Sequence, residues 1–328
     1  MQISLRVGAL AAVVVVLGIA LAVACGSSDD GVSGAGAADA SGAAEGASTQ
    51  GIGGDAASSG KDGSALAQGD AAPSVGCGAA GVKPGYLGQQ ALSLNGSPRS
   101  YALFVGDKYD GKKALPIVFS FHGDGGNGAG MRKTVDLETP ASGNAIFVYP
   151  DGPNQTWDLE TPPAMNLDYK FFDAMVKELE SKLCVDKSKI FAFGFSRGGF
   201  FVNQLGCFRG DTVRAVTAHS GGGPYSNNAA DFDQNGFFHC TTPPVAALVI
   251  HGQADSVVPI AGGGQKSRDH WQIANTCQTT TTAYASSPCV SYNACAADHP
   301  VVWCAIPGLD HAPWSGAATT TWKFFTGL

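Results

Sequence analysis

The sequence predicts an α/β domain in which a mostly parallel β-sheet is flanked by helices and stabilised by disulfides. From Cys77 onward, short apolar runs typical of strands alternate with longer stretches typical of helices, and this alternation favours a parallel sheet. Hydrophobic residues make up 44% of the chain and charged residues only 14%, which suits a well-buried core. We therefore expect residues 77–328 to form one domain.

Seven apolar runs are the candidate strands. They cover residues 99–105, 116–121, 145–149, 189–193, 215–218, 245–250 and 301–306. The clearest helix is predicted over residues 166–183, where Phe171, Met175 and Leu179 lie near one face. A second helix is expected directly after Ser196, and a third over residues 317–325.

The N-terminus has the pattern of an export signal. An apolar run over residues 7–24 follows Arg6 and ends at Cys25. The run is long enough to span a bilayer, but its small-residue exit favours cleavage of residues 1–24 as a signal peptide. The segment from Ala22 to Ala24 fits an ordinary A-x-A cleavage site. It also resembles the lipobox of bacterial lipoproteins, in which Cys25 would become the lipidated first residue. Anchored and freely secreted forms are both open.

Residues 25–76 form a predicted linker. Residues 26–74 lack aromatic side chains and consist almost entirely of Gly, Ala, Ser and Asp, so they cannot bury enough apolar surface to order themselves. A flexible coil of this type reaches roughly 35–42 Å. Seven acidic residues against one lysine give this stretch a net charge of −6, out of −7 for the chain. The remainder is nearly neutral, so nucleic acid is not an expected partner. We also expect the protein to be a monomer.

The cysteines indicate an oxidising compartment. Nine are present, and setting aside Cys25 leaves an even number for disulfides. The expected pairs are Cys207 with Cys240 and Cys77 with Cys184. The last four should pair among themselves: Cys277, Cys289, Cys295 and Cys304. No C-x₂-C pair suggests zinc, and we expect no metal and no cofactor.

Ser196 is the candidate nucleophile. It lies in Gly194-Phe195-Ser196-Arg197-Gly198, after an apolar strand and before a helical stretch. In the α/β-hydrolase fold a G-x-S-x-G motif in this context forms a sharp turn that exposes the serine hydroxyl above the sheet. A Gly-rich connection between a strand and a helix is the alternative interpretation.

A serine hydroxyl needs a base, and His311 is the candidate. The order serine, acid, histidine in this fold excludes His122 and favours a late histidine. His311 lies in a turn-rich loop just after the last candidate strand, at the sheet edge where the serine emerges. His299 precedes that strand, and His270 is expected on a helix.

Asp255 is the candidate acid. It follows the strand predicted over residues 245–250, on the same sheet edge, where it could hold the imidazole tautomer. Asp298 and Asp310 are rivals, but Asp310 adjoins His311, and sequence neighbours seldom face each other correctly. A turn-capping role is the alternative for Asp255.

Stabilisation of an oxyanion requires preorganised N–H donors. The backbone N–H of Arg197, directly after the nucleophile, is one candidate. The second is expected in the Gly-rich loop after residues 116–121. By position the backbone N–H of Asp124 is the preferred donor there, and that of Gly125 is the alternative. We expect the side chain of His122 to form structural hydrogen bonds.

The segment 231–236 opens like a Ca²⁺-binding loop. The twelfth position, however, would be Thr242, whereas such loops carry Glu there. A polar turn before Cys240 is the expectation here.

Residues 77–328 resemble the secreted feruloyl esterases and acetylxylan esterases, and the related polyhydroxybutyrate depolymerases. The resemblance rests on Phe121-His122-Gly123, on Phe147 to Gly152, on Asp168 to Phe172, on the motif around Ser196, on His251 to Asp255, and on Gly308 to Trp314. It implies an α/β-hydrolase with Ser196, Asp255 and His311 as its triad and the amides of Asp124 and Arg197 as its oxyanion donors. In one departure, Asp310 stands where the group usually has Gly.

Two classes of function follow. The first is an exported serine ester hydrolase that acts on plant cell-wall esters of feruloyl or acetyl groups, with short-chain polyhydroxyalkanoate as the alternative substrate. The second is a surface-displayed binding scaffold that keeps the fold without turnover. The expected partners are a polymeric ester and, if Cys25 is lipidated, a membrane. The shape of the acyl pocket depends on loops over residues 157–165 and 220–239, which the sequence does not predict.

Overall fold

The structure, a computed structural model, describes residues 72–79, 81–234 and 236–328. A ten-stranded sheet runs through this region in the order β1-β2-β4-β3-β5-β6-β7-β10-β9-β8. The strands are β1 (Gly85–Leu94), β2 (Ser97–Val105), β3 (Leu115–Phe121), β4 (Ile146–Pro150), β5 (Val185–Phe195), β6 (Ala215–His219), β7 (Ala246–Gly252), β8 (Thr281–Ala283), β9 (Cys289–Tyr292) and β10 (Val301–Ile306). The six strands from β4 to β10 in this order pair in parallel, and the strands at both edges pair antiparallel. The expected mostly parallel sheet is confirmed.

Helices cover both faces of the sheet. They are α1 (Gly128–Thr134), α2 (Glu138–Ala141), α3 (Leu167–Lys182), α4 (Arg197–Phe208), α5 (Gly264–Ala274) and α6 (Ala317–Thr326). One buried cluster packs α3, α4 and α5 against the sheet, and a second packs α1, α2 and α6 against the other face. The core therefore consists of two layers separated by the sheet.

Burial on both faces explains why the central strands are almost wholly apolar. In β3, Ile117 and Phe119 belong to the first cluster, and Val118 between them belongs to the second. In β5, Phe191 points to the second cluster, where its ring stacks on Phe325 of α6 at 4.4 Å. Alternate side chains of a strand point to opposite faces, so a strand covered on both sides has no polar face to show.

The long helix α3 begins where its sequence provides a cap. The side chain of Asn166 accepts hydrogen bonds from the amides of Asp168 and Tyr169, which satisfies two otherwise unpaired donors of the first turn. The Asp168 carboxylate in turn accepts from Arg99 and from the amide of Asp158. This buried group therefore ties α3 to β2 and to the loop that precedes the helix.

The sequence pattern did not indicate β1, β8 and β9. They lie at the two edges of the sheet; every residue of β8 is exposed, and β1 buries only Leu92. A strand with so few buried positions has no apolar alternation to detect. The strand predicted over 189–193 is longer in the structure because Val185 pairs with Leu115 of β3.

The described chain packs against the domain a few residues before the boundary expected at Cys77. The Ser74 hydroxyl donates to the carbonyl of Leu183, and the amide of Lys187 donates to the carbonyl of Ala72. Residues 72–76 therefore belong to the folded domain. The proposed signal peptide, Cys25 and the rest of the linker lie outside the described residues. Within the described residues, no helix combines the length and apolar character needed to cross a bilayer.

Four disulfides cross-link the domain. Cys77 is joined to Cys184 and Cys207 to Cys240, so the structure brings together both pairs expected individually. The last four cysteines pair among themselves, as Cys277–Cys295 and Cys289–Cys304. The side chain of His270 lies beside one bridge, with Nε2 at 3.4 Å from each sulfur of Cys207 and Cys240.

The loop considered for Ca²⁺ forms a local turn. The Asp233 side chain accepts from the amide of Phe237, and the Asp231 carboxylate accepts from Ser226 and Asn228. The backbone of Phe232 pairs with that of Phe238 in an isolated bridge. These contacts match the polar turn expected before Cys240.

We expect the stability of the domain to decline as the pH falls below about 6.5. Burial lowers the pKa of His219 to about 3 and that of His270 to about 4, against an ordinary value near 6.5. Between these values the unfolded chain binds protons that the folded chain does not, so acid favours unfolding. Urea midpoints measured from pH 8 to pH 4.5 should fall with pH. The slope should be smaller for His270→Gln and unchanged for the exposed control His239→Gln. A midpoint independent of pH would contradict this expectation.

Candidate active site

Ser196 occupies a sharp turn between β5 and α4. Its backbone has φ 55° and ψ −121°, in a region that residues with a side chain rarely adopt. The amide of Ser196 donates to the carbonyl of His219, at the end of the neighbouring strand β6. The conformation lifts the hydroxyl above the carboxyl edge of the sheet, as the motif predicts.

The glycines around Ser196 are required by close backbone contacts. A Cβ at Gly194 would lie 2.0 Å from the carbonyl oxygen of Gly198, and one at Gly198 would lie 2.3 Å from the carbonyl oxygen of Phe121. Both distances are far inside van der Waals contact. The two glycines therefore let α4 start directly against the ends of β5 and β3.

Three side chains from different loops meet at this turn. His311 Nε2 lies 2.8 Å from Ser196 Oγ, and His311 Nδ1 lies 2.9 and 3.0 Å from the two carboxylate oxygens of Asp255. Because a carboxylate can only accept, the Nδ1 proton faces Asp255, and Nε2 is left to accept the proton of the serine hydroxyl. The structure thus brings together the three residues singled out in the sequence.

Hydrogen bonds keep Asp255 ionised. Burial alone would raise the pKa of this carboxyl, but the bond from His311 and those from the amides of Val258 and Val257 outweigh burial and lower the pKa below its ordinary value. A carboxylate that accepts several N–H groups holds its charge and its orientation. Asp255 is therefore a fixed negative charge beside the imidazole.

The rival acids and histidines lie elsewhere. The Asp310 carboxylate accepts from the backbone and hydroxyl of Ser256 and from the amide of His311, not from the imidazole ring. Asp298 and His299 directly precede β10, at the amino edge of the parallel strands. His270 is on α5, beside a disulfide.

Two buried histidines at this edge were not assigned a role from the sequence. His219 Nε2 accepts from the amide of Trp314, in the loop that carries His311, and its Nδ1 therefore donates to Ser220 Oγ. His251 Nε2 donates to the carbonyl of Val258 and lies 3.3 Å from Asp255 Oδ2. His219 is the last residue of β6 and His251 the next to last of β7, and this position at the carboxyl end of a parallel strand is the signal that could have identified both.

The candidate oxyanion donors lie on the same edge. Arg197 is the first residue of α4, so its amide belongs to the first-turn donors that find no carbonyl within the helix. In the loop after β3, the amide of Gly125 donates to the carbonyl of Gln155 at 2.9 Å. The Asp124 side chain accepts from Thr156 Oγ1. Since the Gly125 amide is already bonded, Asp124 remains the better candidate of the two.

His122 braces this loop. Its Nε2 accepts from the amide of Gly152, and its Nδ1 donates to the carbonyl of Gly123. Burial lowers the pKa of the ring, which favours the neutral form. The carbonyl of His122 accepts from the indole of the fully buried Trp157. This agrees with the expected structural role of the side chain. It also shows that Trp157, at the start of one loop considered for the acyl pocket, belongs to the core.

Comparisons with known proteins agree with the geometry. The family model described as phospholipase/carboxylesterase matches residues 164–291. Probable feruloyl esterase C of Aspergillus clavatus is 35% identical over 268 residues, which cover 77% of this chain and 90% of the relative. Feruloyl esterase C of Emericella nidulans is 34% identical, with coverage of 77% and 91%. Among solved structures, acetyl xylan esterase from Aspergillus awamori has a TM-score of 0.56 at 16% identity, covering 73% of this chain and 99% of that chain.

The solved structure has the same fold, which confirms the expected α/β-hydrolase architecture. The sequence relatives match over nearly their whole length. The chain therefore belongs to the feruloyl esterase family of serine carboxylic ester hydrolases.

Asp255→Asn should lower kcat on a simple aryl ester by a factor on the order of 10⁴, because the amide no longer holds the required imidazole tautomer. Steady-state rates for the purified variant give the measurement. Asp298→Asn, at the opposite edge of the sheet, is the control and should stay close to the wild type. A large loss with Asp310→Asn and little loss with Asp255→Asn would mean that the acid is assigned to the wrong residue.

Proposed function

We propose that this member of the feruloyl esterase family hydrolyses ester bonds of plant cell-wall polysaccharides, with feruloyl esters as the preferred class, through Ser196, His311 and Asp255. The observation that carries the proposal is the continuous hydrogen-bond chain from Ser196 Oγ through the imidazole of His311 to the Asp255 carboxylate. Such a chain activates a hydroxyl that is a poor nucleophile by itself.

In the proposed mechanism, Ser196 Oγ attacks the ester carbonyl carbon while His311 Nε2 takes its proton. Asp255 stabilises the imidazolium that forms and stays ionised throughout. Collapse of the tetrahedral intermediate passes the proton to the alcohol oxygen of the polysaccharide, which leaves. Water then attacks the acyl-enzyme by the same route and releases the carboxylic acid.

We assign the oxyanion of the intermediate to the backbone amides of Arg197 and Asp124. The Arg197 amide is at the N-terminus of α4, where the helix dipole favours negative charge. The Arg197 side chain has a different partner, because its Nε donates to the carbonyl of Trp157. Preorganised donors of this kind contribute about 3–4 kcal/mol each to catalysis.

Two observations favour an aromatic acyl group. The relatives matched over most of this chain are named feruloyl esterases. Three large apolar side chains are also exposed on loops that follow parallel strands at the carboxyl edge: Met165 (61% exposed), Tyr225 (38%) and Val257 (67%). Exposed apolar side chains at the sheet edge that carries Ser196 suit a methoxylated phenyl ring better than the short aliphatic units of a polyester, which remain the alternative substrate.

We also propose that the protein is exported and anchored by a lipid on Cys25. The apolar run that ends at Cys25 and the even set of disulfide-bonded domain cysteines support export to an oxidising compartment. Mass spectrometry of the mature N-terminal peptide should find a diacylated Cys25. A peptide that starts at Cys25 or later without a lipid would show that the protein is freely secreted.

A substrate panel tests the acyl preference. With methyl ferulate, acetylated xylan and hydroxybutyrate oligomers at matched ester concentration, kcat/KM should be highest for methyl ferulate. Higher values for the oligomers would favour the polyester alternative.

Ser196→Ala is the control for the chemistry in this panel. It should lower kcat by a factor on the order of 10⁴ or more on every substrate while the far-UV circular dichroism spectrum is unchanged. Near-wild-type turnover of any aryl ester by this variant would rule out Ser196 as the nucleophile.

A further inference from the structure

Resting on the proposed roles of Asp255 and His311, we propose that Asp310 is a positioning residue that fastens the loop of the base onto the loop of the acid. Its partner is Ser256, the residue directly after Asp255. In the sequence, Asp310 stands out as a departure from the glycine expected before the histidine. In the structure the same side chain joins the two loops that meet at the triad.

One carboxylate oxygen makes the connection. Asp310 Oδ1 accepts from the amide of Ser256 at 2.8 Å, from the hydroxyl of Ser256 at 2.8 Å and from the amide of His311 at 2.7 Å. Glycine could make none of these side-chain bonds. The backbone of Asp310 is not among the described positions with a positive φ, so the turn itself does not require glycine.

The bonds of Asp310 to Ser256 and to the His311 amide, here called the clamp, form the third of four links between the two loops. The amide of Gln253 donates to the carbonyl of Ile306, and the amide of Ala254 donates to the carbonyl of Leu309. A Cβ at Gly252 would lie 2.2 Å from the Leu309 oxygen, so the backbones are in direct contact there. Past this point the loops are joined only through side chains, first by Asp310 with Ser256 and then by Asp255 with His311.

This position explains why the clamp matters for the reaction. The Asp255–His311 bond fixes the distance of the imidazole from the acid but allows the ring to swing about that contact. The clamp holds the backbone amide of His311 against the loop that carries Asp255. It therefore restrains the swing that would carry Nε2 away from Ser196 Oγ. A displacement of about 1 Å can cost a factor of about 100 in rate.

The charge of Asp310 has a separate effect. Bonds from the Ser256 amide, the Ser256 hydroxyl and the His311 amide lower the pKa of the Asp310 carboxyl below its ordinary value, so it stays ionised near neutral pH. The groups that face His311 are the carboxylates of Asp255 and Asp310 and the buried His219 and His251, whose pKa values burial lowers. Removing the Asp310 charge leaves a protonated imidazole less stabilised.

The test compares four variants on an aryl ester and by the rate of fluorophosphonate labelling. Asp310→Ala should lower kcat and the labelling rate about 10- to 100-fold, with KM within about twofold of the wild type. Ser256→Ala keeps the amide donor and should lose less. The double variant should match Asp310→Ala within about twofold, because the hydroxyl has lost its partner. Asp310→Asn keeps an acceptor oxygen and should recover most of kcat, while the acidic limb of its kcat/KM profile moves to lower pH.

Asp136→Ala is the matched control. The Asp136 carboxylate is also exposed and also accepts from two backbone amides and a hydroxyl, at the start of α2 and away from the triad. Its kcat should remain within about twofold of the wild type. A role limited to loop stability would instead give equal losses of melting temperature in Asp136→Ala and Asp310→Ala with kcat unchanged in both.

The proposed role of Asp310 would be wrong if Asp310→Ala kept the wild-type kcat. It would also be wrong if the losses in Asp310→Ala and Ser256→Ala multiplied in the double variant. The Ser196→Ala variant separates this from a failure of the proposed function. If Ser196→Ala is inactive and unlabelled while Asp310→Ala behaves as the wild type, only the clamp is wrong. If Ser196→Ala stays active, the assignment of the nucleophile itself is wrong.

Discussion

The turn at Ser196 is the constraint on which the rest of the site depends. Its positive φ places a non-glycine residue in a conformation that costs about 1–3 kcal/mol, and such a conformation persists only where the surroundings hold it. Here β5 is central in the sheet, with β3 and β6 paired on its two sides. The amide of Ser196 bonds to the end of β6, and Gly198 packs against the end of β3. The strand order thus maintains the strained turn, which in turn presents the hydroxyl.

The same edge of the sheet brings the other site residues together. Parallel strands all end on one side, so loops distant in sequence converge there. His219 connects two of them at once. Its carbonyl accepts from the amide of Ser196, and its ring accepts from the amide of Trp314 in the loop of His311. The relative position of Ser196 and His311 therefore depends on a short path through one buried residue, and not on the long segment of chain between them.

The sequence predicted the parts of the molecule that are buried on both sides or that follow a local motif. The central strands are continuous apolar runs because both faces are covered, whereas at the edges β8 is wholly exposed and β1 buries only Leu92, so neither carries a pattern. Ser196 is recognisable from its neighbours alone. His219 was not, because its role depends on contacts across strands that spacing along the chain does not reveal. For the same reason Asp310 could be noticed as unusual before its partner Ser256 was known.

The electrostatics around the base follow from which groups are buried and which are hydrogen-bonded. Burial lowers the pKa of both His219 and His251, so these two rings stay neutral beside His311 and do not repel its protonated form. Asp255 and Asp310 stay charged instead, because hydrogen-bond donors lower the pKa values of their carboxyl groups. In the proposed mechanism the imidazole of His311 gains a proton during attack, and two neutral rings and two carboxylates then surround it. Since the charges are in place before the reaction, stabilising the imidazolium requires little rearrangement of the protein.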